Sequence, residues 1–144
     1  MLIKQISVFV ENKKGRMAHI AELIGNAGVD LRALSIADTS DFGILRVIVD
    51  KPELAVATLK DAGIAVTLTD VIGVGMDNAP GSFAKVMRIA ADADIQVEYM
   101  YAFIGRTVGR AYIIMNAADP QDAISCLRKA GVDVLDGQDA LNSI

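Results

Sequence analysis

The feature that most constrains the fold of this 144-residue chain is an internal repeat. Residues 12–17 (NKKGRM) align with residues 78–83 (NAPGSF), and the same offset brings Ile20 and Ile24 onto Val86 and Ala90. Two extra residues near Ala117 then lengthen the offset, after which residues 60–64 (KDAGI) align with residues 128–132 (RKAGV). An agreement of this length, in register with the hydrophobic pattern, indicates a duplicated unit. We therefore predict two homologous units, residues 1–68 and residues 69–144.

Within each unit, the hydrophobic pattern alternates between the period of a strand and that of a helix. Met17, Ile20, Ala21 and Ile24 have the i, i+3, i+4, i+7 spacing of an amphipathic helix, and Pro52 marks the start of a second helix. Short β-branched runs predict strands at residues 3–10, 31–37, 43–49 and 64–68, with a hairpin connection at residues 39–41. The second unit repeats this order, with strands near 70–76, 95–103, 109–115 and 132–135 and helices near 81–92 and 120–130.

The order β-α-β-β-α-β is that of a ferredoxin-like unit. We predict an α+β fold of two tandem ferredoxin-like units, each with an antiparallel four-stranded sheet and two helices on one face. The third strand of each unit, residues 44–49 and residues 111–115, is apolar at nearly every position, whereas a sheet with one face in water would alternate. We therefore expect both faces of these strands to be covered, the second face by the sister unit or by a second chain.

The composition excludes several classes of function. Hydrophobic residues make up 53% of the chain, and 14 Lys+Arg against 18 Asp+Glu give a net charge of −4. An acidic chain with 5% aromatic residues is a poor nucleic-acid binder, although RRM domains share this topology. With one cysteine, Cys126, and one histidine, His19, neither a disulfide framework nor a metal site with two imidazoles is available.

The same sequence predicts the protein's location. No apolar run approaches the roughly 20 residues of a membrane span, and polar residues interrupt the first five positions too early for a signal-peptide core. We expect a cytoplasmic protein with no cofactor, no metal, no membrane association and no nucleic-acid partner.

The loop between the first strand and the first helix of each unit has unusual chemistry. Its two copies are residues 11–16 (ENKKGR) and residues 77–82 (DNAPGS), each with an asparagine three residues before a glycine. Glycine permits a tight backbone path, and the helix start beyond it offers unpaired N–H groups that suit a carboxylate. Asparagine before a helix is often only a cap, and glycine only a turn residue. The repetition of the pair at the same junction favours a ligand site in both copies.

These loops resemble the corresponding loop of the ACT domain. That family has a β-α-β-β-α-β unit of this size, with the pattern [Asp/Asn]-x-Pro-Gly-x-apolar at its first strand–helix turn. Asn78-Ala79-Pro80-Gly81-Ser82-Phe83 fits the pattern, whereas Lys14 in the first copy stands where the family usually has proline. The resemblance covers essentially the whole chain as two tandem units, and the reduced fit of the first loop leaves open whether both copies bind.

The resemblance implies a regulatory module that binds small ligands, most often amino acids, at interfaces between units. In that family, the ligand contacts come from this loop and from the start of the second strand of a neighbouring unit. Carried over to this sequence, the loop residues are Asn12, Gly15, Arg16 and Met17, with Asp77, Asn78, Pro80, Gly81, Ser82 and Phe83. The second-strand residues are Leu31, Arg32, Ala33 and Leu34, with Val97, Glu98, Tyr99 and Met100.

An amino acid in such a site would use three kinds of contact. Its carboxylate would lie against N–H groups of the loop, and its ammonium against strand carbonyls or a carboxylate such as Glu98 or Asp77. Its side chain would pack on Met17, Phe83 or Met100. Because two units would form the pocket, a bound ligand would favour one arrangement of the units over another. We expect a homodimer that acts on a separate enzyme or regulator.

The alternative hypothesis is a small ferredoxin-like hydrolase of the acylphosphatase type. Such enzymes use an arginine in the first strand–helix loop and an asparagine elsewhere, which would assign those roles to Arg16 and Asn12. The second copy has Ser82 where the first has Arg16, and neither copy contains a nucleophile paired with a base. The remaining arginines that flank a predicted hairpin, Arg106 and Arg110, are expected to be surface charges.

Overall fold

The computed structural model describes residues 2–38 and 41–143. The chain divides into two compact units, which are described separately. The first unit comprises Lys4–Thr69, and the second comprises Asp70–Ile144 together with Met1–Ile3. Of the predicted hairpin connection at residues 39–41, Thr39 and Ser40 lie outside the described residues.

The first unit forms an antiparallel sheet with two helices. Its elements are β1 (Ile3–Glu11), α1 (Arg16–Asn26), β2 (Leu31–Asp38), β3 (Phe42–Val49), α2 (Pro52–Asp61) and the beginning of β4 (Val66–Asp77). The strand order is β2-β3-β1-β4, so β2 is an edge strand. Phe9 lies opposite Ile44 in the β1–β3 ladder, and the N–H of Phe9 donates to the carbonyl of Ala65 at 3.1 Å, just before β4.

The second unit repeats this arrangement. The remainder of β4 is followed by α3 (Ser82–Asp92), β5 (Val97–Ile104), β6 (Arg110–Ala117), α4 (Pro120–Lys129), β7 (Asp133–Leu135) and α5 (Gly137–Ser143). The strand order is β5-β6-β4-β7, with Gly75 of β4 opposite both Tyr112 and Asp133. The predicted class, two tandem ferredoxin-like units, is confirmed.

Two elements differ from the sequence prediction. Residues 64–68 and 70–76 were expected to form separate strands, but they contribute to the single 12-residue strand β4. Neither Thr69 nor Asp70, at the junction of the two predicted strands, is a glycine or a proline, so nothing forces the extended backbone to turn. The short helix α5 was not predicted, because its seven residues are too few to show a helical hydrophobic period.

The start of each helix has a local cause in the sequence. Pro52 and Pro120 begin α2 and α4, where proline's missing N–H would have had no partner within the helix. The carboxylate of Asp119 also caps α4, accepting a hydrogen bond from the N–H of Asp122 at 3.1 Å. The helices α1 and α3 start differently, after a glycine.

Each unit has an apolar core between its sheet and its helices. The first core contains Ile6, Val8, Val10, Ile20, Ile24, Val29, Leu45, Val47, Val49, Ala55 and Leu59. The second contains Ile72, Val74, Val86, Ile113, Met115, Ala117, Ala123, Ile124 and Leu127. A fully buried isoleucine or leucine stabilises a fold by about 1.5–3 kcal/mol relative to leaving it exposed, so these clusters are the main source of stability.

The third strands are buried on both faces, as predicted from their continuous apolar runs. In β3, the adjacent residues Val47 and Ile48 point to opposite faces and are 1% and 0% exposed. In β6, Ile113 and Ile114 are both 0% exposed. The edge strand β2 differs, because Leu34 and Ile36 pair with Val47 and Leu45 on the helix side of the sheet yet remain 59% and 56% exposed.

Gly105, directly after β5, permits a close approach within the second unit. A Cβ atom at this position would collide with the ring of Tyr112 and with the backbone carbonyl of Ser143 at the end of α5. The N–H of Arg106 donates to that same carbonyl at 3.0 Å. The ring of Tyr112 also stacks on that of Phe103, with centroids 5.7 Å apart.

We expect Gly105→Ala to destabilise the protein by about 1–3 kcal/mol, because the ring and the backbone carbonyl must both move. Urea denaturation measures this change. The control is Gly25→Ala in α1, where an added Cβ meets nothing within 4 Å, so this variant should gain about 0.5–1 kcal/mol from helix propensity. Equal stabilities of the two variants would contradict the packing at Gly105.

Candidate ligand-binding site

The two strand–helix loops have the same backbone geometry. Gly15 is the N-cap of α1 with φ 82° and ψ −6°, and Gly81 is the N-cap of α3 with φ 85° and ψ −11°. These values lie in the left-handed region, which glycine adopts without strain and other residues rarely enter. The glycine common to both copies is therefore a requirement of this turn.

The hydrogen bonds of the loops also match. The N–H of Arg16 donates to Lys13 at 3.2 Å, and the N–H of Ser82 donates to Ala79 at 3.2 Å. The carbonyls of Gly15 and Gly81 accept from His19 and Lys85, which closes the first helical turn. Within the described part of the chain, the N–H groups of the second and third helical residues donate no backbone hydrogen bond; these are Met17 and Ala18 in α1, and Phe83 and Ala84 in α3.

The first loop opens into a pocket between α1 and the strands β2 and β3. Its lining residues are Val10, Glu11, Asn12, Lys13, Met17, Ile36, Phe42 and Gly43. A wholly apolar groove of about 240 Å³ adjoins it and shares Met17 and Ile36; its other lining residues are Ala21, Ile24, Leu31, Leu34, Leu45 and Val47. A recess lined in part by the polar loop residues Glu11, Asn12 and Lys13 thus continues into an apolar groove along the edge strand.

Charged side chains at the first loop form a small ion-pair cluster. The carboxylate of Glu11 lies 2.9 Å from Lys13 Nζ and 3.6 Å from Arg16 Nη2. The hydrogen bond and charge of Lys13, with a smaller effect from Arg16, hold the pKa of Glu11 below its ordinary value of 4.5. Glu11 and the two cations leave the loop with a net positive charge, which suits an anionic group.

The second loop opens in a different direction, towards β7. The pocket beside it is lined by Gly75, Met76, Asp77, Ser82, Lys85, Val86, Ile89, Arg110, Gly131, Val132 and Asp133. Arg110 bridges two carboxylates there, with Nη1 2.9 Å from Asp77 Oδ1 and Nη2 2.6 Å from Asp133 Oδ2. Burial opposes the charged form of Arg110, but the hydrogen bond that it donates to Asp77 and the charges of Asp133 and Asp77 outweigh this effect and raise the pKa of Arg110.

Comparison with known proteins identifies the family of this chain. The family model that describes an ACT domain pair matches residues 1–127. The chain belongs to this family. No curated protein matches the sequence. Membership in the family supports a regulatory, ligand-binding role.

Solved structures agree with this assignment. The ACT domain pair is 38% identical to a protein from Bacteroides thetaiotaomicron, with a TM-score of 0.91 over 98% of this chain and 96% of that chain. The regulatory subunit of aspartate kinase from Thermus thermophilus, in its ligand-free form, is 17% identical with a TM-score of 0.66, over 90% of this chain and 93% of that one. Aspartate kinase from Synechocystis is 19% identical with a TM-score of 0.59, over 92% of this chain and 26% of that one. The two kinase structures share the fold.

The structure brings together part of the predicted site in the first ACT unit. Asn12 and Met17 line the loop pocket, and Met17 shares the apolar groove with Leu31 and Leu34. Arg32 is the extra residue at a bulge in β2, where its Nε lies 3.3 Å from Asp30 Oδ2. Ala33 is buried in the sheet.

The second ACT unit brings together fewer of the predicted residues. Asp77 and Ser82 line one pocket, whereas Asn78, Pro80 and Gly81 are exposed around the turn, and Phe83 is exposed on α3. That pocket's lining includes none of the second-strand residues named for this unit. Glu98 instead accepts a hydrogen bond from Asn116 Nδ2 at 2.7 Å, and Met100 packs against the core of its own unit.

Sequence reasoning missed several pocket residues. Arg110 was expected to be a surface charge; its side chain is 29% exposed, and it binds two carboxylates that were not expected as its partners. Asp133 and Lys85 were not considered because they lie far along the chain from the loop or on a helix without a motif. Asp133 lies opposite Gly75, which only the register of the strands shows, and Lys85 lies one turn into α3.

We expect Lys13→Gln to raise the pKa of Glu11 towards 4.5, because Lys13 supplies the largest part of the lowering. An NMR pH titration of the Glu11 carboxyl carbon measures it. Because the folded-state pKa is lowered, the ion pairs stabilise the fold above the unfolded-state pKa, and this contribution is lost as pH falls through the folded-state value. Lys14→Gln, which removes the same charge one residue away, should have the smaller effect; an unchanged pKa in Lys13→Gln would contradict the pairing.

Proposed function

We propose that the two ACT units, residues 1–68 and 69–144, bind a small ligand, most readily an amino acid, at interfaces between ACT units. The protein is then a non-catalytic sensor that acts on a separate enzyme or regulator in the cytoplasm. The main support is the shared geometry of the two loops. In both, a left-handed glycine precedes a helix whose second and third N–H groups have no backbone acceptor among the described residues, and in the first unit Met17, which carries one of these N–H groups, lines an apolar groove.

The chemistry of the first unit matches the parts of an amino acid. Amides of the first helical turn and the cations Lys13 and Arg16 favour its carboxylate, because N–H groups and positive charge converge there. The apolar groove beside Met17, Leu31 and Leu34 favours an aliphatic side chain. In the second unit the corresponding contributions are assigned to Asn78, Gly81, Ser82 and Phe83, with Glu98, Tyr99 and Met100 from a neighbouring unit.

The hydrolase alternative has less support. The ion pair of Arg16 with Glu11, 3.6 Å apart, does not distinguish the two hypotheses, because each gives Arg16 an anionic group to bind. The counterpart of Arg16 in the second unit is Ser82, which cannot replace an arginine that binds a phosphate group. Acyl phosphate turnover by the purified protein would favour the hydrolase over the sensor.

A thermal melting assay with the twenty protein amino acids tests the sensor. A ligand at 100 times its Kd should stabilise the protein by about 2.7 kcal/mol, which raises Tm by several degrees. Asn12→Ala or Asn78→Ala should weaken, by about fivefold, the binding of the amino acid that raises Tm, which corresponds to the loss of one hydrogen bond. Asn26→Ala, at the other end of α1, is the control. No shift with any amino acid would refute an amino acid ligand.

The exposed edge of the first unit supports a homodimer. Leu34 and Ile36 lie side by side on the helix face of the edge strand β2, where an uncovered apolar surface favours association. Light scattering after gel filtration should give twice the chain mass of 15.3 kDa. The double variant Leu34→Lys, Ile36→Lys should run as a monomer. Val108→Lys, at a residue that is 99% exposed in a turn, should remain a dimer. A monomeric native protein would refute the dimer.

A further inference from the structure

The pocket of the second unit differs from the proposed interface sites in its position. It lies between α3 and the α4–β7 connection, on the side of α3 away from β5, and all its lining residues belong to the second unit. Asp77 and Ser82 are the residues that it shares with the loop. A ligand could therefore occupy it without any contribution from a neighbouring unit.

Arg110 holds two carboxylates of this pocket in place. Arg110 holds Asp77 at 2.9 Å and Asp133 at 2.6 Å, and each contact uses one oxygen of the carboxylate. The second oxygen of each carboxylate can still accept a hydrogen bond, and both side chains are more than half exposed. The three groups together carry one negative charge, and Lys85 on the same lining adds one positive charge.

The backbone makes room for this cluster. A Cβ atom at Gly75 would lie 2.6 Å from Asp133 Oδ2 and 2.8 Å from Arg110 Nη2. A Cβ atom essentially never makes contacts that short, so with another residue at this position both flexible side chains would have to shift from where they lie across β4. One wall of the pocket is apolar and is formed by Val86, Ile89 and Val132.

The duplication provides an internal comparison. At the positions of Gly75, Arg110 and Asp133, the first unit has Phe9, Phe42 and Ala65. Phe42 lies opposite Glu11 in the sheet as Arg110 lies opposite Asp77, and the N–H of Phe9 donates to the carbonyl of Ala65. The first unit folds in the same way without any of these charges. The charged pocket is therefore not a requirement of the fold, and ion pairs that are this exposed add little stability.

We propose that this pocket is a second binding site, specific for a small zwitterion with an aliphatic side chain. The ammonium group binds between the free oxygens of Asp133 and Asp77. The carboxylate binds Lys85 and the hydroxyl of Ser82, and the aliphatic part lies on Ile89 and Val132. Arg110 is a positioning residue, because it fixes both carboxylates while leaving the cluster one negative charge for the ammonium. The site goes beyond the proposed interface sites and does not depend on them.

Methyl NMR of the native protein tests this site with L-valine as the probe. Signals of Val86, Ile89 and Val132 report the new pocket, whereas signals of Leu34 and Ile36 report the groove of the first unit. We expect L-valine to shift the first set of signals. Isobutylamine lacks the carboxylate and isovalerate lacks the ammonium, so each should bind at least about tenfold more weakly than valine.

Variants with matched controls complete the test. Asp133→Asn and Lys85→Gln should each weaken L-valine binding at Ile89 by about tenfold or more. Asp92→Asn and Lys60→Gln remove the same charges from the exposed ends of α3 and α2, and should leave the affinity unchanged. Shifts confined to Leu34 and Ile36 would overturn this site while supporting the proposed function. No shift of Ile89 at millimolar L-valine, or equal effects of pocket and control variants, would also overturn it.

Discussion

The burial of each sheet beneath its two helices is the constraint on which the rest of this protein depends. In the first unit, Ile20 and Ile24 anchor α1 on the strands, and in the second Val86 and Ala90 anchor α3. Since the helix axis is fixed by this packing, the preceding loop must join the strand to the helix in a short, defined path. The left-handed glycine makes that path possible, and the direction of the free amides follows from it.

The two units share this framework but differ in the charged residues and the recess beside the loop. The two loops share their turn, yet the recess that adjoins each loop lies on a different side of the following helix. Around the first loop, Glu11 pairs with lysine and arginine from the loop itself. Around the second, Asp77 at the equivalent position pairs with Arg110 from β6. The strand residues beside the loops differ as well: Phe9, Phe42 and Ala65 in the first unit stand where Gly75, Arg110 and Asp133 lie in the second.

The candidate site was only partly predictable, because its loop residues are neighbours in the sequence whereas its strand residues lie far from the loop along the chain. Asn12, Gly15 and Met17 follow one another along the loop, so a motif identifies them. Leu34 could be named as a second-strand residue, although its position beside Met17 depends on the twist and register of β2. Arg110 and Asp133 belong to two strands on opposite sides of β4, and no local pattern in either strand indicates that a guanidinium joins them.

Four features can be read from the amino-acid sequence alone: the duplication, the order of strands and helices, the two glycine turns and the apolar strands buried on both faces. These follow from local periodicity and from the backbone preferences of glycine and proline, which act over a few residues. Three features are visible in the folded protein alone: β4 is one continuous strand, α5 ends against Gly105, and each loop opens into a different pocket. Those features arise from contacts between distant segments, whose geometry depends on how strands pair and side chains pack rather than on any local pattern.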